Sequence, residues 1–364
     1  LLMSRLAFKR DIEDPKTVSD FIKVVQSPER LRLLFLLTIV DISAVGPNVW
    51  NSWKAGLLSN LYLRAQEVLL GSTMHEDKNL RVERIKKRFQ AAMAGWPKNK
   101  IKEYFKNTQS RYWLEIDPEV QVRHAKLIDK AKESKIDFKI GFHNDEKKEV
   151  IQVYVFAPDH PGLFASIAGA IALSNASIVD AKIQTLNNGM ALDSFSISSQ
   201  QGSRPLGEIN LAKLERRIIG AMQGETNLIS ELARARTKVV LNQIQAFNVF
   251  PGVLIDNNAS QSHTVLEING RDRPGFLYDV TAFLTKSGFQ ISSAHISTYG
   301  ERVVDVFYVR DVFGMKVLDE KKLNHIREQL LGVIGTGTQA QNNARKLENK
   351  ANDSIYAGKQ KLLL

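Results

Sequence analysis

The 364-residue chain contains no cysteine. That absence excludes disulfides, thiolate zinc sites and a cysteine nucleophile together. Long apolar runs are also missing. Spanning a bilayer takes roughly 18 to 20 consecutive apolar residues. The longest candidate, Leu31 to Ile42, carries Arg32 near its start and Asp41 near its end, so a buried helix is expected. The opening residues carry no secretory pattern, and a cytoplasmic location with no membrane partner is expected. Histidine is sparse: there are seven, and the earliest is His75. What is present is ordinary for a globular protein of two or three domains, with 43% hydrophobic and 24% charged residues. The net charge of +11 is uneven. Lys78 to Lys106 holds ten Lys/Arg against two Glu. No nucleic-acid motif accompanies this segment, so a solvated helix face is expected there, and nucleic acid is not expected as a partner.

Residues 1–140 have helical spacing. Ser27 precedes Pro28 as an N-cap precedes a first-turn proline. Helices are expected over Pro28–Val45, Trp50–Leu70, Glu83–Met93 and Pro118–Lys135, with a charged connector from Ser134 to Glu149. Beyond it the period changes. Val150–Phe156 alternates as a strand, Asp159-His160-Pro161-Gly162 is a turn, and the next eleven residues form a helix with one apolar face. Two strands joined at Asn187-Asn188-Gly189 follow, then a helix over Asn210–Met222. The order recurs from Thr264 onward. Asp159, Pro161, Gly162 and Ile178 find counterparts in Asp272, Pro274, Gly275 and Ile291, each 113 residues later. With one residue of turn-length difference, Asp193 matches Asp305 and Phe195 matches Phe307. This is an internal duplication.

Strand, helix, strand, strand, helix is most of a βαββαβ unit. The fold class expected is therefore α+β: a helical region followed by two ferredoxin-like units, over 149–257 and 263–340. The final strand of the first unit is expected near Phe247–Ile255 and that of the second within 332–340. The polar tail, 341–364, is expected to be disordered.

The two turns resemble the D-x-P-G-L signature of ACT domains. In that family the turn between first strand and first helix binds an amino-acid effector. The resemblance implies effector contacts at Asp159, His160, Pro161, Gly162, Leu163 and Phe164, and at Asp272, Arg273, Pro274, Gly275, Phe276 and Leu277. Physical chemistry agrees, since a Pro-Gly turn allows close backbone approach and a helix N-terminus favours a carboxylate. Asp193 and Asp305 are candidates for the effector's ammonium, or for lining a sheet edge. His160 and His295 are candidate ligands, with a structural role the commoner one for such histidines.

Asp41-Ile42-Ser43-Ala44-Val45-Gly46-Pro47 and Trp50-Asn51-Ser52-Trp53-Lys54 are specific in combination. Through them, residues 1 to about 335 also resemble the bacterial bifunctional uridylyltransferase/uridylyl-removing enzymes. The family joins a nucleotidyltransferase domain, an HD-type phosphohydrolase domain and two ACT domains. It adds UMP to the PII signal protein from UTP, removes it again, and responds to glutamine in nitrogen regulation. The resemblance implies that residues 1–140 include the end of the HD domain. Asp41 would be its last metal ligand, with Mg²⁺ or Mn²⁺ used by the intact enzyme. The Gly-Ser and paired-aspartate signature of the transferase is absent, as is the His…His-Asp core. The expectation is a fragment of a longer protein, without activity or metal of its own. The alternative is a stand-alone amino-acid-binding ACT regulatory protein.

Overall fold

The computed structural model describes residues 1–12, 14–45, 50–70, 78–199, 209–242, 249–299 and 301–335. Eight helices come first: α1 (Leu2–Lys9), α2 (Pro15–Val25), α3 (Pro28–Val45), α4 (Ser52–Leu69), α5 (Lys78–Ala92), α6 (Lys98–Asn107), α7 (Ser110–Glu115) and α8 (Pro118–Glu133). Their starts follow local chemistry. Asp14 accepts the Lys16 N–H ahead of Pro15, and Asn51 accepts the Lys54 N–H at the head of α4. None of the described helices is long and apolar enough to cross a membrane. Helices α6 and α7 are additional to the helices expected from the sequence, although Ile101, Tyr104 and Phe105 stand at helical spacing in α6.

The first repeat comprises β1 (Lys139–Asp145), β2 (Val150–Pro158), α9 (Leu163–Ala172), β3 (Ala176–Lys182), β4 (Met190–Ser199) and α10 (Leu211–Met222). Helix α11 (Leu228–Asn242) links it to the second repeat. That repeat has β5 (Gly252–Asp256), β6 (Thr264–Arg271), α12 (Phe276–Lys286), β7 (Phe289–Tyr299), β8 (Arg302–Asp311) and a helix α13 over 320–335. All eight strands form one sheet in the order β1-β2-β4-β3-β7-β8-β6-β5.

This order corrects where the edge strands come from. The strand expected at Phe247–Ile255 is β5, and it pairs with β6 of the second repeat, not with the first. The matching edge of the first repeat is β1, which lies in the supposed connector and pairs along its length with β2. The stretch 332–335 continues α13, and 336–364 falls outside the described residues. Each repeat thus runs ββαββα. The edge strand beside the first core strand is supplied from its N-terminal side, because a tight turn at Asp145–Val150 makes a hairpin cheaper than a long return.

Three layers result. One face of the sheet packs Val153, Val155, Phe195, Leu266, Ile268 and Phe307 against α9, α10, α12 and α13. On the other, Tyr154, Phe156 and Leu192 pack against α5–α8 around Tyr112 and Trp113, both 1% exposed. His124 of α8 bridges these layers, lying 3.1 Å from the Tyr112 hydroxyl and 2.8 Å from Ser194 of β4. The helical region is therefore the third layer of one body, and the charged connector is folded into the sheet.

Candidate functional site

The two Pro-Gly turns adopt the same conformation. Gly162 and Gly275 have φ of 91° and 75°, a region that L side chains enter at a cost, and each sits at the N-cap of its helix. Asp159 N–H donates to Gly189 carbonyl at 3.1 Å, and Asp272 N–H to Glu301 carbonyl at 2.8 Å, so each turn is tied to the following hairpin. Not every helix-start amide is free for a carboxylate. Leu163 N–H donates to His160 carbonyl and Phe276 N–H to Arg273 carbonyl, inside the turns themselves.

Their surroundings differ. The second turn abuts the first repeat and lines a half-open cavity of about 60 Å³. Ala168 and Ala172 of α9 and Ser177 of β3 form one wall, with Gly275, Leu277 and Asp305 opposite. Asp305 is 1% exposed and its Oδ1 has no hydrogen-bond partner. Burial pushes its carboxyl well above the usual range, and the nearby Asp272 carboxylate adds to this. Its counterpart Asp193 is equally buried and likewise raised by burial, but accepts the Gln184 N–H at 3.2 Å. The first turn is exposed: Asp159 takes the Thr185 hydroxyl at 2.5 Å, and the His160 ring lies 3.1 Å from Pro161 carbonyl. None of residues 159–164 lines the cavity.

Arg273 is buried, ion-paired to Asp279, and stacked 5.5 Å from the centroid of Phe276. Arg236 of α11 reaches the same carboxylate through two 2.9 Å contacts and donates to Pro274 carbonyl at 2.8 Å. Sequence reasoning missed Arg236 and Asp279, because the first repeat has Ser166 at the matching place and nothing marks a linker helix as a clamp. A Cβ on Gly275 would meet Arg236 Nη2 and Leu232 at 2.9 Å. Gly275→Ala is therefore expected to destabilise the chain by about 1–3 kcal/mol in urea unfolding. Gly162→Ala, with open space at its Cβ, should cost less.

His295 lies on the opposite face of the sheet, 2.7 Å from Asp180. Asp41 is exposed on α3, and among the described residues no group of three or more His, Cys, Asp or Glu is placed to hold a metal ion. A single carboxylate does not fit the several oxygen ligands that Mg²⁺ or Mn²⁺ takes.

The model of the ACR family N-terminal ACT domain matches residues 259–336. The second repeat is an ACT domain. The whole chain has close relatives too. It is 45% identical to the bifunctional uridylyltransferase/uridylyl-removing enzyme of Rhodospirillum rubrum over 332 residues, 91% of this chain and 35% of that protein. The enzyme of the same name from Azospirillum brasilense is 45% identical, covering 92% and 36%. That from Gluconobacter oxydans is 43% identical, covering 92% and 35%. The chain is thus homologous to these enzymes, and it spans about a third of their length. The ACT match takes in the second turn, β6, α12, β7 and β8, so the cavity lies at the contact of this ACT domain with its duplicate.

Proposed function

We propose that the paired repeats are an amino-acid sensor, with glutamine as effector. They would regulate an enzyme that adds UMP to the PII protein and removes it, in the cytoplasm. The observation carrying this reading is the unpaired, buried Asp305 carboxyl in a cavity walled by both repeats. A buried carboxyl oxygen without a partner is costly, and an α-ammonium group would supply both the missing hydrogen bond and the compensating charge. The effector's carboxylate would lie toward the first turn of α12, where the helix dipole favours it. Its side chain would run between Ala168 and Ala172, whose small size leaves the space. In this reading the first turn plays a lesser part, since Asp193 is already satisfied.

Such a ligand touches both repeats, so its binding energy depends on how they are placed. It would favour one placement, and only that difference in affinity can switch activity. The catalytic groups, the UTP they consume and their Mg²⁺ or Mn²⁺ would belong to parts of the enzyme outside this chain. Calorimetric titration of the chain with L-glutamine, with L-glutamate as control, tests the sensor. Selective glutamine binding that Gly275→Pro abolishes is the expected result. Equal uptake of both amino acids, or none, would remove glutamine from the proposal.

A further inference from the structure

The sheet is weakest along the line where the repeats meet. β3 and β7 pair through three residue pairs, Asp180 with His295, Ala181 with Ala294 and Lys182 with Ser293. Among the described residues, every other pairing of these strands has five or more. The 113-residue spacing makes Ala181 the counterpart of Ala294, Asp180 of Ser293, and Lys182 of His295. A local twofold axis therefore passes between the two alanines. Both are fully buried in the core beneath α9 and α12. Because side chains alternate along a strand, the other four residues form a polar quartet on the opposite face.

One side chain from the helical layer plugs that quartet. Asp11, in the turn between α1 and α2, is 6% exposed. Its two carboxylate oxygens accept from Lys182 Nζ at 2.9 and 2.8 Å, and Oδ2 also accepts from Ser293 Oγ at 3.3 Å. Oδ1 lies 3.9 Å from His295 Nε2, and the Asp11 N–H donates to the Tyr308 hydroxyl at 2.7 Å. The carboxylate thus holds donors from both repeats at their axis.

The end of α1 and the residue after it are tied to the second repeat. Lys9 pairs with Glu267 at 2.9 Å, Arg10 with Asp256 at 3.3 Å, and Ser297 Oγ donates to Phe8 carbonyl at 3.3 Å. The link from Asp11 to the first repeat runs through Lys182. Burial works against that ammonium, but the Asp11, Asp180 and Glu115 carboxylates outweigh it and hold its pKa above the usual lysine value. Breaking such a pair from one side leaves an uncompensated buried charge. A slip of the first repeat along the three-pair seam would therefore pull on Asp11.

We propose that Asp11 is a positioning residue that makes the helical layer follow the mutual placement of the two repeats. This goes beyond amino-acid sensing and requires no effector. The test is hydrogen exchange by mass spectrometry on the full 364-residue chain. Ala294→Val wedges the seam from the face opposite Asp11. It should change exchange in α1 and α2 by on the order of threefold or more. In an Asp11→Asn background the same wedge should leave α1 and α2 unaltered, and Asp11→Glu should restore the response. Equal effects of the wedge with and without Asp11 would overturn the proposal, as would no effect in the parent. Circular dichroism checks folding, and Ala294→Ser replaces the wedge if the valine variant does not fold. No amino acid is added in this experiment, so its failure is distinct from a failed glutamine titration.

Discussion

Asp305→Asn is expected to melt at a higher temperature than the parent at pH 8 and to lose effector binding. Both follow from one carboxyl. In the native chain burial raises the Asp305 pKa far above its ordinary value of 3.8, whereas the unfolded chain ionises normally. A group raised in this way contributes stability below the unfolded pKa, and that contribution is lost as pH rises through the folded value. Each pH unit separating the folded and unfolded values is worth about 1.4 kcal/mol. Asparagine is neutral at every pH and of nearly the same shape, so it removes the penalty. The gain in melting temperature should be largest above neutrality and vanish near pH 4. The ammonium-binding charge disappears with it, and calorimetry should show no effector uptake. A stabilised variant that cannot bind is the pattern expected when strain is kept for function. Asp193→Asn is the control. Its carboxyl already accepts the Gln184 N–H, so the substitution should stabilise less and leave binding intact. An Asp305→Asn chain that still takes up the effector normally would remove the carboxyl from the site.

Much of this arrangement is legible in the residues alone. The 113-residue spacing carries the duplication, and two Pro-Gly turns ahead of amphipathic helices carry the ACT likeness. The edge strands are harder. Ile140 and Phe142 do alternate in β1, but the charges on both sides of them suit a connector equally well. β5 follows an extra helix, and local pattern cannot say which of two identical edges it joins. The difference between the two turns is hidden for another reason. Asp193 and Asp305 match in sequence, and only the packing around them leaves one satisfied and the other orphaned. Asp11 is hidden as well. A lone aspartate in a helix–helix turn carries no signal until its partner, Lys182, is seen 171 positions away.

Mild acid should release the helical layer from the sheet before the sheet itself melts. His124 is fully buried, and burial, aided by the Arg123 charge, lowers its pKa from 6.5 to about 3. The unfolded chain takes up a proton below about pH 6.5, while the native chain resists until about pH 3. The stability from neutral His124 is therefore complete above pH 6.5 and is lost as pH falls through that window. At about 1.4 kcal/mol for each pH unit, the loss reaches roughly 2 kcal/mol by about pH 5. It falls where His124 works, between the Tyr112–Trp113 cluster and Ser194 of β4. His263, also lowered to about 3 by burial, adds the same sign in the second repeat. Asp193 and Asp305 act in the opposite direction, because protonation suits their buried sites and firms the sheet as pH falls. The two layers thus respond differently to acid. Near-UV circular dichroism should lose the Trp113 signal between about pH 6 and 4 while the far-UV strand signal persists. His124→Gln keeps a hydrogen-bonding side chain without the titration, and should move that loss to lower pH. Identical acid midpoints in parent and variant would mean that the contact is broken by some other group.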